Sequence, residues 1–348
     1  MKTMVNTAWM RPFAGALALA VTCGGPAFAA VCEGQNLFET MPPERAASIE
    51  EATEGVPFRR GLLWEAVRGD ERITLVGTYH FADPRHDAMM DRIGDRLETA
   101  AALYVEAGPE EEARLTEALA ADPTLMVDPE GATLPERLSE AEWKQLTAAL
   151  SDRGIPAIMA SRMRPWYVSM MLGISPCMMR QMAEAGGEAG GLDHMLMGEA
   201  ETRALPIRSL EPWDTVFQLF ADLTPEQELD MIRANLPAAA YADDYAVTLT
   251  DAYFEGDVWK IWEFARHDAY ANSGLDRAEI DEQIALAQER LMDARNRAWI
   301  DPLLEGAAEA AADGQGIVAA FGALHLPGEE GVLNLLAEEG FEVTRLDE

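Results

Sequence analysis

Two apolar segments, Ile73-Thr74-Leu75-Val76 and Leu103-Tyr104-Val105, flank a stretch that opens on Asp83-Pro84 and carries Met89, Met90, Ile93 and Leu97 at helical spacing. Strand, helix and strand in that order make a βαβ unit. It forces the two strands to run parallel, joined by a right-handed crossover. Asp83 reads as the helix cap, with Pro84 in the first turn. The first strand is apolar at nearly every position, so both of its faces need cover. Ahead of it, Leu62–Val67 and the turn Arg68-Gly69-Asp70-Glu71 complete a hairpin. Further strands are expected at 205–210, 317–321 and 341–346, with a helix at 329–339. The fold class that follows is α/β: a central, largely parallel sheet with a hairpin at its start, flanked by helices. Large helical insertions are expected at about 109–200 and 213–311, with a cap at Ser139. Residues 30–58, with Pro42, Pro43 and Pro57, read as irregular. No linker divides residues 30–348, which read as a single domain.

Residues 1–29 follow a different pattern. Lys2 and Arg11 are the only charges before Glu33, an apolar stretch runs from Phe13 to Cys23, and Gly24-Gly25-Pro26 precedes Ala27-Phe28-Ala29. That is the three-part pattern of a cleaved secretory signal, with the mature chain starting at Ala30 and exported to the periplasm or beyond. Cys23 leaves with the signal. Cys32 and Cys177 remain, and an oxidising compartment favours a disulfide between them over two free thiols. Lys+Arg number 27 against 61 Asp+Glu, a net charge of −34. Nucleic acid and anionic membrane surfaces require basic patches, so this balance argues against both as partners. No later apolar run is long enough to span a membrane.

One pattern occurs twice: an apolar strand running into Gly-x-x-His, at Gly77–His80 and at Gly322–His325. Glycine there permits a positive φ or a close backbone approach. The histidine then projects past the carboxyl edge of the sheet, where open α/β sheets bind ligands. Two acids fall in the same place. Glu106 ends the second strand of the βαβ unit and Glu211 ends the 205–210 strand. Imidazoles and carboxylates at one edge suit either a divalent metal site or general acid–base hydrolysis. The plainer alternative is that each residue caps a strand. Arg295 lies on the apolar stripe of Ile280, Ile284, Ala287, Leu291 and Ala298, about three turns beyond Ile284. Facing inward it needs a carboxylate or a substrate oxyanion; the alternative is snorkelling at a helix end.

The ordered set Gly77-Thr78-Tyr79-His80, Leu103-Tyr104-Val105-Glu106, Gly131-Ala132-Thr133-Leu134, Arg164-Pro165-Trp166, Gly191-Leu192-Asp193, Leu210-Glu211, Arg295-Asn296-Arg297 and Gly322–Gly328 with Gly331 resembles the TraB/GumN proteins, relatives of the Tiki proteases. The resemblance covers about 60–346. It implies a fold related to erythromycin esterase-like and ChaN-like proteins. For the Tiki branch it implies a metal-dependent hydrolase whose ligands map onto His80, His325 and Glu106, with Mn, Co or Zn as the divalent ion. Tyr79 stands where the family usually has an aliphatic residue and would put a hydroxyl near the site.

The expectation from these readings is an exported, metal-dependent hydrolase acting on a peptide or small-molecule substrate. Glu106 serves as third ligand or general base, Glu211 orients a histidine or completes the shell, and Arg295 holds substrate or oxyanion with Asn296 assisting. Two other readings stand beside it: a ligand-binding protein on the same fold, and a metal-independent His/Glu hydrolase of the esterase type. His194 is placed at the surface or behind the ligands, and His86 and His267 on solvated helix faces. Nine of the 18 methionines fall between Met159 and Met197 without a regular ladder, which suits adaptable packing. There is no P-loop, dinucleotide fingerprint, Cys-pair metal motif or Gly-x-Ser-x-Gly elbow.

Overall fold

Leu63–Arg68 (β1), Glu71–Thr78 (β2), Ala100–Val105 (β3), Ile207–Ser209 (β4), Gly316–Gly322 (β5) and Glu342–Arg345 (β6) form one sheet in the order β4-β3-β5-β2-β1-β6. The computed structural model describes residues 32–185 and 190–347; the signal segment expected at 1–29 lies outside them. β2, β3, β4 and β5 pair in parallel, while β1 is antiparallel to both β2 and β6. The hairpin turn is tighter than the sequence suggested. Arg68 pairs with Glu71, and Gly69 takes φ +62°, a left-handed conformation that glycine adopts without steric cost.

Alternation along the strands sends side chains to two faces. Ile317, Ala319 and Phe321 of β5 join Ile73 and Leu75 beneath the helices Ala294–Ala312 and Val332–Glu338. Val318, Ala320, Val76 and Leu103 face the helices His86–Thr99 and Leu192–Thr202, meeting Ile93, Leu97, Leu192 and Leu196. The sheet is therefore covered on both sides, which is why its central strands read as continuous apolar runs. The helical insertions build a further core of their own, with Leu146, Leu150 and Val168 against Leu229 and Ile232. Within it Ser139 caps Glu140–Asp152 through a reciprocal capping box with Glu142. Among the described residues no helix is long and apolar enough to cross a membrane.

Three local readings are corrected. Residues 30–58 contain two helices, Leu37–Thr40 and Pro43–Thr53. Pro43 occupies the first turn, where its missing N–H costs nothing, so proline here starts a helix. The helix after β2 begins at His86, two residues beyond Pro84, and Asp83 accepts the Arg85 N–H in the turn before it. His86 is fully buried against Tyr79, Tyr253 and Phe254, although its sequence neighbours are charged.

Cys32 and Cys177 are bonded, with Cα atoms 5.7 Å apart across a separation of 145 residues. The bridge ties the segment before the helices at 37–53 to the helix Pro176–Glu184. In the chain-entropy account a loop of that length is worth about 5 kcal/mol. Reduction, or a C32S/C177S variant, should lower the thermal midpoint by roughly 10 °C. Unchanged melts with and without reductant would contradict this.

His86 generates a second expectation. Its Nε2–H donates to the Phe81 carbonyl at 3.0 Å, Nδ1 has no partner, and burial holds its pKa below the usual histidine value. The folded chain refuses a proton that the unfolded chain accepts below about pH 6.5. Stability from this group is complete above that pH and falls by about 1.4 kcal/mol per unit as the pH drops toward the depressed folded value. Urea midpoints at pH 7.5, 6.0 and 5.0 should fall more steeply for the parent than for His86→Gln; equal slopes would rule the effect out.

Candidate functional site

Four parallel strands deliver one group each to their carboxyl edge: His80 two residues past β2, Glu106 directly after β3, Glu211 two past β4, and His325 three past β5. Hydrogen bonds from Leu210 N to Val105 O (2.8 Å) and from Glu211 N to Glu106 O (3.0 Å) continue the β3–β4 ladder past the strands. Glu106 and Glu211 are thereby held side by side. The helix Ala294–Ala312 brings Arg295 and Asn296 over the same edge. A wide turn at Glu289–Asp293 precedes that helix and breaks the continuous periodicity read from Ile280 to Ala298.

Arg295 is the hub. Its Nε donates to Glu211 Oε1 at 2.6 Å, and Nη2 donates to Glu211 Oε2 at 2.9 Å and Glu106 Oε2 at 2.5 Å. Nη1 donates to the Leu291 carbonyl at 2.9 Å and approaches His325 Nε2 at 3.2 Å. A guanidinium has five N–H groups, and all five are engaged by the protein. Trp299 supports the assembly twice: its indole N–H donates to Glu211 Oε1 at 3.0 Å, and its ring lies 5.1 Å from the guanidinium carbon.

The two histidines are held differently. His325 is buried, and its Nδ1–H donates to Asn296 Oδ1 at 2.6 Å. The Asn296 amide is oriented in turn by donation to the Glu330 carbonyl at 2.8 Å. This pins the tautomer and leaves Nε2 as an acceptor toward Arg295. Burial, helped by the positive charge of Arg295, pushes the His325 pKa down to about 3 against the pull of Glu106; the ring is neutral. His80 keeps 55% of its side-chain surface open, and its Nδ1 lies 3.2 Å from Asp193 Oδ2. Crowding in the crevice opposes its charged form, but the bond to Asp193 and the charges of Asp193 and Glu106 outweigh it and raise its pKa to about 9. Glu106 goes the other way. Burial favours its neutral form, yet His325, Arg295, His80 and the Gly322 N–H at 2.7 Å together lower it to about 2. At neutral pH the centre thus holds a carboxylate, an imidazolium and a neutral imidazole.

Glycines make the convergence possible through closeness. Neither motif glycine has a positive φ. A Cβ at Gly322 would sit 3.3 Å from Glu106 Oε1, 3.6 Å from His325 Cδ2 and 3.7 Å from His80 Nε2, so it would fill the space the three share. At Gly77 a Cβ would strike Leu326 and Ala323. Gly191, at the head of the helix Leu192–Thr202, packs onto the backbone of Tyr79 and His80 with no room for a Cβ, and this delivers Asp193 to His80.

The structure brings together His80, Glu106, Glu211, Arg295, Asn296 and His325. Sequence reasoning assigned no role to Asp193 or Trp299. Asp193 stood inside Gly191-Leu192-Asp193, and a carboxylate beside a helix-initiating glycine was the available signal; Trp299, one turn after Arg295, gave none. His194 lies behind Asp193, which with Glu112 raises its pKa to about 10. The Tyr79 hydroxyl is not at the centre: it bonds Thr250 Oγ1 at 2.8 Å, inside the helical layer.

Two imidazoles with Nδ1 anchored on oxygen and Nε2 left over, beside a carboxylate, are the donor types of a divalent ion. Their arrangement here does not fit one. Arg295 stands against His325 Nε2 and Glu106 Oε2, and among the described residues no three His, Cys, Asp or Glu side chains are placed to hold an ion. The cation between these groups is the guanidinium.

Residues 62–345 match the model of the TraB/PrgY/gumN family. No curated protein and no solved structure matches the chain. With the family match spanning most of its length, the chain belongs to the TraB/PrgY/gumN family.

Proposed function

We propose that this chain is a hydrolase of acyl bonds, with a peptide or a small-molecule ester or amide as substrate. One observation carries the reading: His80 Nε2 and Glu106 Oε1 border the same space at Gly322, and their surroundings push their pKa values apart, to about 9 and about 2. At neutral pH His80 is then protonated and Glu106 ionised, the states that a proton donor and a proton acceptor require. The Glu106 carboxylate accepts a proton from the attacking water. His80, as imidazolium, donates its Nε2 proton to the leaving group. Asp193 holds His80 in the orientation and charge state this requires, and Asn296 keeps the neutral His325 in place. Arg295 and Glu211 act by positioning, since every N–H of Arg295 is already committed to protein acceptors. No step is assigned to a metal.

His80 and Glu106 are the positions to test. Removing Arg295 would strand two carboxylates, a kind of loss that costs about 3–5 kcal/mol in folding. The purified protein should cleave members of a panel of fluorogenic peptides and acyl esters. His80→Ala and Glu106→Gln should each lower kcat/KM by about 10²–10⁴-fold; Glu106→Gln also takes a partner from Arg295 and should melt lower, so circular dichroism at the assay temperature checks that both variants are folded. Variants that cleave as well as the parent would overturn the reading. Tight ligand capture without turnover would favour a binding protein.

Metal analysis separates the remaining possibility. The Arg295 arrangement predicts activity that survives chelation and no stoichiometric Mn, Co or Zn. An ion bound one to one would instead make His80, His325 and Glu106 its ligands and require Arg295 to be displaced.

A further inference from the structure

A cavity of about 400 Å³ lies in the helical layer, between the helices Pro225–Asn235, Val258–Asn272 and Arg277–Gln288. Its wall is overwhelmingly apolar, with Leu223, Met231, Ile284 and Ala287 among the lining residues. Leu275, Leu286 and Leu291 also line it and are themselves solvent-exposed, between 37% and 40%. Large aliphatic side chains held both at solvent and on a cavity wall make an apolar mouth. The cavity's volume is in the range of small-molecule sites, roughly 300–1,000 Å³.

Two polar features mark what it would take. Among the described residues Arg290 is the only cation lining it, and its one hydrogen bond there is a long one, from Nη1 to the Leu219 carbonyl at 3.3 Å. No carboxylate pairs with it among the described residues, in a chain with more than twice as many acids as bases. Asp230, on the same wall, is already paired with Arg233 at 2.7 Å. The second feature is Trp262, whose indole N–H is buried and has no partner. The cavity thus offers an apolar interior with a planar cation on its wall, and a guanidinium recognises a carboxylate through paired N–H donors.

We propose that this cavity binds a single-chain aliphatic carboxylate, with the alkyl tail inside and the carboxylate on Arg290. The proposal is independent of the hydrolase reading, because none of His80, Glu106, Glu211, Arg295 and His325 lines this cavity. The test is fluorescence titration of the purified protein with 11-(dansylamino)undecanoic acid, followed by displacement with dodecanoate or dodecanol. Saturable one-to-one binding is expected, with dodecanoate displacing the probe at least tenfold more effectively than the alcohol. Arg290→Gln, a change at a half-exposed side chain, should weaken binding at least tenfold, and Ala287→Trp should block it by filling the cavity; circular dichroism checks that both variants keep the parent fold. Three results would overturn the proposal: no saturable binding, equal displacement by the alcohol, or binding that neither variant changes. Binding of neutral vesicles in place of the monomeric acid would make the apolar mouth a membrane contact and would equally reject it.

Discussion

The guanidinium of Arg295 is the interaction on which the centre depends. It sits at low exposure between two carboxylates that belong to different strands, and it contacts a histidine from a third. Taking such a group out of water is costly unless every donor finds an acceptor. Here each one does, which fixes Glu106, Glu211 and His325 relative to one another more tightly than the strands alone could. The charge pattern follows. Half-buried Glu106 stays ionised with the help of this positive charge, and His325 stays neutral although a carboxylate is near, because it is buried and the guanidinium opposes a second cation.

The sheet supplies the other half of the geometry. Parallel strands present their carboxyl ends on one edge, so residues far apart in sequence become neighbours without any local signal linking them. Asp193 arrives by a different route, on a helix whose first residue can approach the backbone of His80 only because Gly191 has no side chain. The centre is therefore built from strand ends and helix starts, with rigid elements behind each group.

All six strands were legible in the sequence, because a sheet covered on both faces must write apolar runs, and the punctuating glycines marked their ends. Glu106 and the two histidines could be read from position alone. The misreadings share a cause: local composition is a weak guide to what a residue packs against or which element it starts. Charged neighbours around His86 suggested a solvated helix face, yet the first residue of that helix turns into an aromatic cluster. Prolines at 42 and 43 suggested irregular chain where they start a helix. The bonds of Arg295 could not be read at all. Periodicity put it on an inward stripe, but its partners come from β3 and β4, and only the three-dimensional ladder sets Glu106 beside Glu211.

The pairing of β2 with β5 sets Ile73 beside Ile317 and Thr78 beside Gly322, and this has a bearing on how the molecule is made. Emerging from a ribosome, the chain exposes β2 and the His80 loop early, but the strand that fills the middle of the sheet arrives almost last. Until then β2 and β3 have no common neighbour, Glu106 lacks the backbone N–H of Gly322, and the apolar faces of both strands stay open. Closing so long a loop is slow relative to local helix formation. A chain that stops short of residue 316 can hold Arg295 against Glu106 and Glu211, but it lacks His325 and the Gly322 N–H: the four-strand edge comes into being only with the strand that joins β2 to β3.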